Sequence, residues 1–172
     1  MGGDYAPKAN VLGAIEAHQL LSPGEHIVLL GDTAQIKPLL SEHGFNPDHF
    51  EYVHTDEVIG MGEHPTKAIV QKPNSSISVG FSLLKEGKLD SFASAGNSGA
   101  MLVGAVFSVK TCPNILRPCL TSIVPKLDGG IGIMLDVGAN ADCKPDFLLQ
   151  FGILGSLYVE TLMNIANPKV AL

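Results

Sequence analysis

The chain has 172 residues, 45% of them apolar and only 16% charged, with a formal charge of −6 and a mean hydropathy of +0.25. Disorder needs low hydrophobicity and high net charge, so it is excluded; with 17 carboxylates against 11 basic residues, so is nucleic-acid binding driven by counterion release. So small a charged fraction points to a surface that packs against another subunit or segment.

The predicted elements run as follows. A first helix has Val11, Leu12 and Ile15 on one face. A strand at His26–Leu30 precedes a second helix, where Asp32 followed by Gln35 has the look of a capping box. After a strand at Phe50–Val53, Ile77, Phe81 and Leu84 mark a third helix that Gly87 stops. A strand at Leu89–Ser94 leads into a helix over Ser98–Lys110. Strands at Leu120–Val124 and Ile131–Val137 follow. The last helix runs from about Pro145 to Met163, with Phe147, Phe151, Leu154, Tyr158 and Leu162 on one face. This alternation predicts an α/β fold with a largely parallel sheet. The chain opens on a turn with no strand feeding it and closes at Lys169–Leu172 on what reads as the start of a strand. The expectation is a single α/β catalytic-type domain over 1–172 that lacks its first strand and the second half of the protein.

Three Gly-rich turns precede helices: Met1–Asp4, Ser94–Ala100 and Asp136–Pro145. A helix N-terminus presents free N–H groups and the positive end of the dipole, which favours anions, and glycine lets backbone come close. The convergent reading is a phosphate site; the plain one is ordinary strand-to-helix turn chemistry. Pro145 suits the first helical position and forces Lys144 to be extended, aiming its ammonium at the helix mouth. Asp142 can cap the helix, orient Lys144 or act as a base. Asn97 and Asn140 sit at turn tips, either as residues that tolerate left-handed backbone or as amide donors to an oxyanion.

Other signals are weaker. Gly60-Met61-Gly62 lacks the third glycine of a dinucleotide fingerprint, and no phosphate-loop motif is present. The six histidines show no metal-ligand spacing, so neither metal nor cofactor is expected. Three cysteines without a C-x-x-C pair exclude a disulfide framework and fit a reduced, cytoplasmic setting. Cys143 beside Lys144 is either an activated thiolate or a small turn residue. Gly152, Gly155 and Ser156 suit close helix packing.

Taken with Lys72–Ser76, Arg117-Pro118, Leu127-Asp128-Gly129 and Leu135–Pro145, the segments Met1–Pro7 and Ser94–Ala100 resemble, over the whole chain, the bacterial phosphate acyltransferases of phospholipid synthesis, the PlsX family. Val70 and Gln71 stand where that family usually carries an arginine before the lysine matching Lys72. The resemblance implies a three-layer fold like the isocitrate and isopropylmalate dehydrogenases and a homodimer. It implies transfer of an acyl group from acyl carrier protein to inorganic phosphate, with peripheral membrane contact through the half outside this chain. Together with the turns it selects Asn97, Asn140, Asp142 and Lys144 as catalytic, and Gly2, Gly3, Asp4, Ser75, Ser76, Gly96, Ser98, Gly99 and Gly138 as phosphate-binding. A phosphotransacetylase-like enzyme using acyl-coenzyme A and a non-catalytic scaffold that binds phosphate or carrier protein are the alternatives. A metal- and nicotinamide-dependent dehydrogenase of the same fold lacks its motifs.

Overall fold

The computed structural model describes residues 1–140 and 142–172; Ala141, inside the third Gly-rich turn, lies outside the described residues. The fold is α/β, and the chain divides into two compact units, Met1–Lys110 and Thr111–Leu172.

In the first unit, α1 (Lys8–His18) precedes β1 (Val28–Gly31), α2 (Thr33–Glu42), a short 3-10 turn (Pro47–His49) and β2 (Glu51–His54). β1 and β2 pair in parallel from Val28↔Glu51 to Gly31↔His54, as the crossover through α2 requires. Asp32 caps α2, its carboxylate accepting from the Ala34 amide at 2.9 Å. Gln35 completes the start differently from a capping box, donating to the Asp32 side chain (2.7 Å). Val11, Ile36, Leu40 and Phe50 form the core of this layer.

Next come α3 (Pro65–Gln71), α4 (Ser76–Lys85) and α5 (Ser98–Ser108), closing on a second core of Ile59, Ala68, Ile77, Phe81 and Ala100. α3 begins on Pro65, the first-turn position that suits proline. Gly87, at φ +69°, follows the end of α4 as expected. The predicted strand at Leu89–Ser94 is absent: the segment is irregular. Its apolar character serves packing, since the Phe92 ring meets Phe81 edge-on at 5.2 Å. Gly80 makes the room, because a Cβ there would lie 2.5 Å from the Phe92 ring.

In the second unit, β3 (Thr121–Pro125) and β4 (Ile131–Leu135) form an antiparallel hairpin from Thr121↔Leu135 to Pro125↔Ile131. A largely parallel arrangement was expected here. The connection Lys126–Gly130 is far too short for a crossover, which needs about a dozen residues or more. Gly129 takes φ +82° in that loop. α6 (Pro145–Leu162) buries Phe151, Gly155 and Val159. A Cβ at Gly155 would lie 2.8 Å from Leu135 Cδ1, so this glycine sets how close α6 sits to β4. Among the described residues, no helix is long and apolar enough to cross a membrane.

Candidate functional site

The predicted site residues fall in both units, and each group has its own geometry. In the first unit the Met1–Asp4 turn lies directly on the Ser94–Gly96 turn. A Cβ on Gly2 would sit 2.6 Å from the Gly96 carbonyl oxygen and 2.8 Å from Ser94 Oγ. Gly3 is left-handed, at φ +98°. Two of the three Gly-rich segments are therefore in backbone contact, and the glycines make that contact possible. Asp4 is exposed.

Asn97 is buried, only 6% exposed, and caps α5: its Oδ1 accepts from the Ala100 amide at 3.1 Å. Its Nδ2 donates to the carbonyls of Gly60 (3.1 Å), Met61 (3.2 Å) and Glu63 (3.1 Å). With two hydrogens facing three carbonyls, this amide is committed to the loop 60–63. The structure therefore gives Asn97 a cap-and-clamp role where an oxyanion donor was expected. Its φ of −67° also removes the left-handed reading. Of the four N-terminal amides a helix leaves unpaired, Ala100's is capped, and among the described residues those of Ser98 and Gly99 are among the three left for an anion. Gly99 has no room for a side chain against Pro65.

Ser75 caps α4, accepting from the Ser78 amide (3.3 Å), and is fully buried. Its Oγ also meets Ser78 Oγ at 2.9 Å, and Ser76 is buried beside it. Both are built into the start of α4.

Sequence reasoning missed the ion pair that borders this region. Lys72 Nζ donates to Glu63 Oε1 (2.5 Å) and to the Val58 carbonyl (2.7 Å). The same Glu63 oxygen accepts from the Gly60 amide at 2.7 Å. Lys72 first, and then that amide, hold the Glu63 carboxyl below the ordinary glutamate range. No local spacing announces a pair that a turn and a helix separate.

In the second unit Asp136 organises the third turn. It is left-handed (φ +62°), as is Gly138 (φ +101°). Asp136 Oδ1 accepts from the Asn140 amide (3.2 Å) and from Asn140 Nδ2 (2.9 Å), and Oδ2 accepts from the Cys143 thiol (3.3 Å). Asn140 Nδ2 also donates to the Pro118 carbonyl (3.2 Å), while its Oδ1 accepts from Arg117 Nη1 (3.3 Å). Asn140 thus latches this turn to Arg117-Pro118, its amide engaged at every atom, where an oxyanion donor was expected. The signal for Asp136 was present in the sequence: aspartate is one of the few non-glycine residues enriched in left-handed backbone.

Lys144 is extended (φ −71°, ψ 155°) ahead of Pro145, as expected, and is the N-cap residue of α6. The cap position is thus held by Lys144 and not by Asp142, and among the described residues no side-chain cap bond forms there. Asp142 and Lys144 are both exposed and free to meet a ligand.

Burial first, then the bond to Asp136, push the Cys143 thiol up. A raised pKa keeps the sulfur protonated at neutral pH, which disfavours a nucleophilic role. Cys143→Ala should therefore keep most of the activity of the full-length protein. Alkylation of Cys143 by iodoacetamide should half-saturate at a higher pH than that of a free thiol. Isolation of an acyl group in thioester linkage to Cys143 would overturn the assignment.

Among the described residues, no group of three His, Cys, Asp or Glu side chains is arranged to hold a metal. The arrangement offers amide donors at one helix mouth and an exposed lysine at another. Both suit an anionic substrate held against a reacting carbonyl.

A family model for fatty acid synthesis proteins matches residues 1–172. The chain is 42% identical over 172 residues to the phosphate acyltransferase of Dictyoglomus turgidum, covering all of this chain and 51% of that protein. It is similarly 42% identical to the phosphate acyltransferase of Clostridioides difficile, covering 50% of it. To that of Oceanobacillus iheyensis it is 44% identical, again over 50%. The chain spans about half the length of the curated relatives it matches.

Proposed function

The chain belongs to the fatty acid synthesis protein family, and on that premise we propose that the whole protein moves a fatty acyl group from acyl-[acyl carrier protein] to inorganic phosphate, making acyl phosphate for phospholipid synthesis. The observation that carries this reading is the similarity, over all of this chain, to relatives named phosphate acyltransferase. The chemistry is economical. A phosphate oxygen attacks the thioester carbonyl carbon, the tetrahedral intermediate collapses, and the C–S bond breaks to release the carrier protein's thiolate, which takes up a proton. Phosphate is itself the nucleophile, so no side chain need be acylated. The protein must hold phosphate in line and stabilise the oxyanion.

In this reading the Ser98 and Gly99 amides at the mouth of α5 donate to phosphate or to the oxyanion. Gly2, Gly3 and Gly96 let the surrounding backbone close up, while Asp4, Ser75 and Ser76 border the same unit's turns. At the mouth of α6 Lys144 meets negative charge, Asp142 orients it, and Gly138 shapes the turn. The proposed whole is a cytoplasmic homodimer, three-layered like the isocitrate dehydrogenases, that touches the membrane peripherally. Leu149, Ile153 and Leu157, each more than half exposed on α6, support a partner-facing surface.

The test is phosphate-dependent release of thiol by the full-length protein, with acyl carrier protein and acyl-coenzyme A as alternative donors. Acyl phosphate should appear with the carrier-protein donor only when phosphate is present. Thiol release at one rate with and without phosphate rules the reading out. A marked preference for acyl-coenzyme A replaces the donor.

A further inference from the structure

The Lys72–Glu63 pair and the Gly60-Met61-Gly62 loop play no part in the chemistry above, yet they are joined to it by an unbroken chain of contacts. Lys72 Nζ holds Glu63 Oε1 and the Val58 carbonyl. Glu63 Oε1 closes the loop on itself through the Gly60 amide. The carbonyls of Gly60, Met61 and Glu63, presented by that closed loop, receive the Asn97 amide. The other end of the same side chain caps α5 at Ala100. Gly96, just before Asn97, has no room for a Cβ against the Met61 side chain, so loop and turn are in contact as well.

We propose that Lys72 and Glu63 are positioning residues, an ion pair that shapes the loop 58–63 into the cradle for Asn97 and so fixes the Ser98 and Gly99 amides toward phosphate. This rests on the α5 mouth being the phosphate site. Lys72 acts through the loop and does not touch phosphate: its ammonium is shared between a carboxylate and a carbonyl of residues 58–63. The motif that the sequence offered as a broken dinucleotide fingerprint is the part being held. Lys72 grips it at Val58 and Glu63, and the Asn97 amide takes its carbonyls at Gly60, Met61 and Glu63.

The experiment compares Lys72→Met, Lys72→Arg, the exchange Lys72→Glu with Glu63→Lys, and Ser98→Pro in the full-length protein. KM for inorganic phosphate and kcat are measured separately, because a misplaced ground-state contact and a lost transition-state contact divide differently between them. Lys72→Met should raise the phosphate KM roughly tenfold with kcat within about twofold. The exchanged pair keeps the attraction but loses the Gly60 closure and the Val58 bond, so its KM should fall between those of Lys72→Met and the parent. Lys72→Arg keeps both donations and should stay near the parent. Cleavage by proteinase K within residues 60–62 should be faster in Lys72→Met, slower than that in the exchanged pair and near the parent's in Lys72→Arg, and this reads the loop directly.

A direct role for Lys72 on phosphate predicts the opposite: the exchange would set a carboxylate against the anion and worsen KM further, which overturns the proposal. An unchanged KM in Lys72→Met overturns it too. If Lys72→Met fails to fold, the exchanged pair alone decides. Ser98→Pro separates the proposal from its premise. Asn97 is already extended, so proline fits the first helical position and removes only an N–H. If Ser98→Pro leaves the phosphate KM unchanged, the α5 mouth is not the phosphate site and the premise falls. If it raises KM while Lys72→Met does not, the site stands and the positioning role falls.

Discussion

Asn97→Asp is expected to destabilise the protein by about 3–5 kcal/mol, the range for leaving a charge buried without its partner. The substitution is nearly isosteric, so packing changes little. Aspartate is also a good cap, so the bond from the Ala100 amide survives. What changes is the other end of the side chain. An amide that donates to the carbonyls of Gly60, Met61 and Glu63 becomes an acceptor facing three acceptors. Ionised, the carboxylate is repelled by all three; protonated, it has one hydrogen for them. Its pKa in the folded variant is raised, so the variant's deficit should shrink as pH falls and grow as pH rises through that value. Urea unfolding of parent and variant at pH 5 and pH 8 measures both effects. A loss under about 1 kcal/mol at pH 8 would mean the amide does not bear that clamp.

Lys144→Ala should lower kcat/KM about ten- to a hundredfold, the equivalent of one charge-assisted hydrogen bond. The loss should fall mainly on phosphate use. Lys144 is extended ahead of Pro145 at the start of α6, is exposed, and lies at a helix mouth where no side-chain cap bond forms among the described residues. Folding should be intact, because no core contact is removed. Phosphate kinetics of the full-length variant decide the matter. An unchanged phosphate dependence would make Lys144 a solvated lysine, worth a few tenths of a kcal/mol, and would withdraw the α6 mouth from the site.

Local signals were read well and long-range ones were not. Pro145 marks the first residue of α6, Asp32 caps α2, and Gly87 follows α4 in a left-handed conformation; each is a one- or two-residue rule. Leu89–Ser94 failed because a short apolar run has the same composition whether it pairs in a sheet or lies over a helix, and Phe92 had Phe81 as its partner. The β3–β4 pairing was legible from the five residues of the connection but was overridden by the α/β pattern. Of the site, the turns and their glycines could be located. The employment of the Asn97 and Asn140 amides could not, because their acceptors, Gly60 and Pro118 among them, lie far away in the chain. A side chain's free valences depend on what the fold brings to it.

The β3–β4 hairpin also has a kinetic meaning. Its strands meet through a turn of five residues, so closing it forfeits little chain entropy, and such hairpins form in about 1–10 μs. The β1–β2 pair has no such shortcut: its parallel register can be satisfied only after α2 and the 3-10 turn have been laid between the strands. Residues 111–172 therefore hold a nucleus that zips from its own loop, whereas the first unit must gather distant segments before its sheet contributes anything.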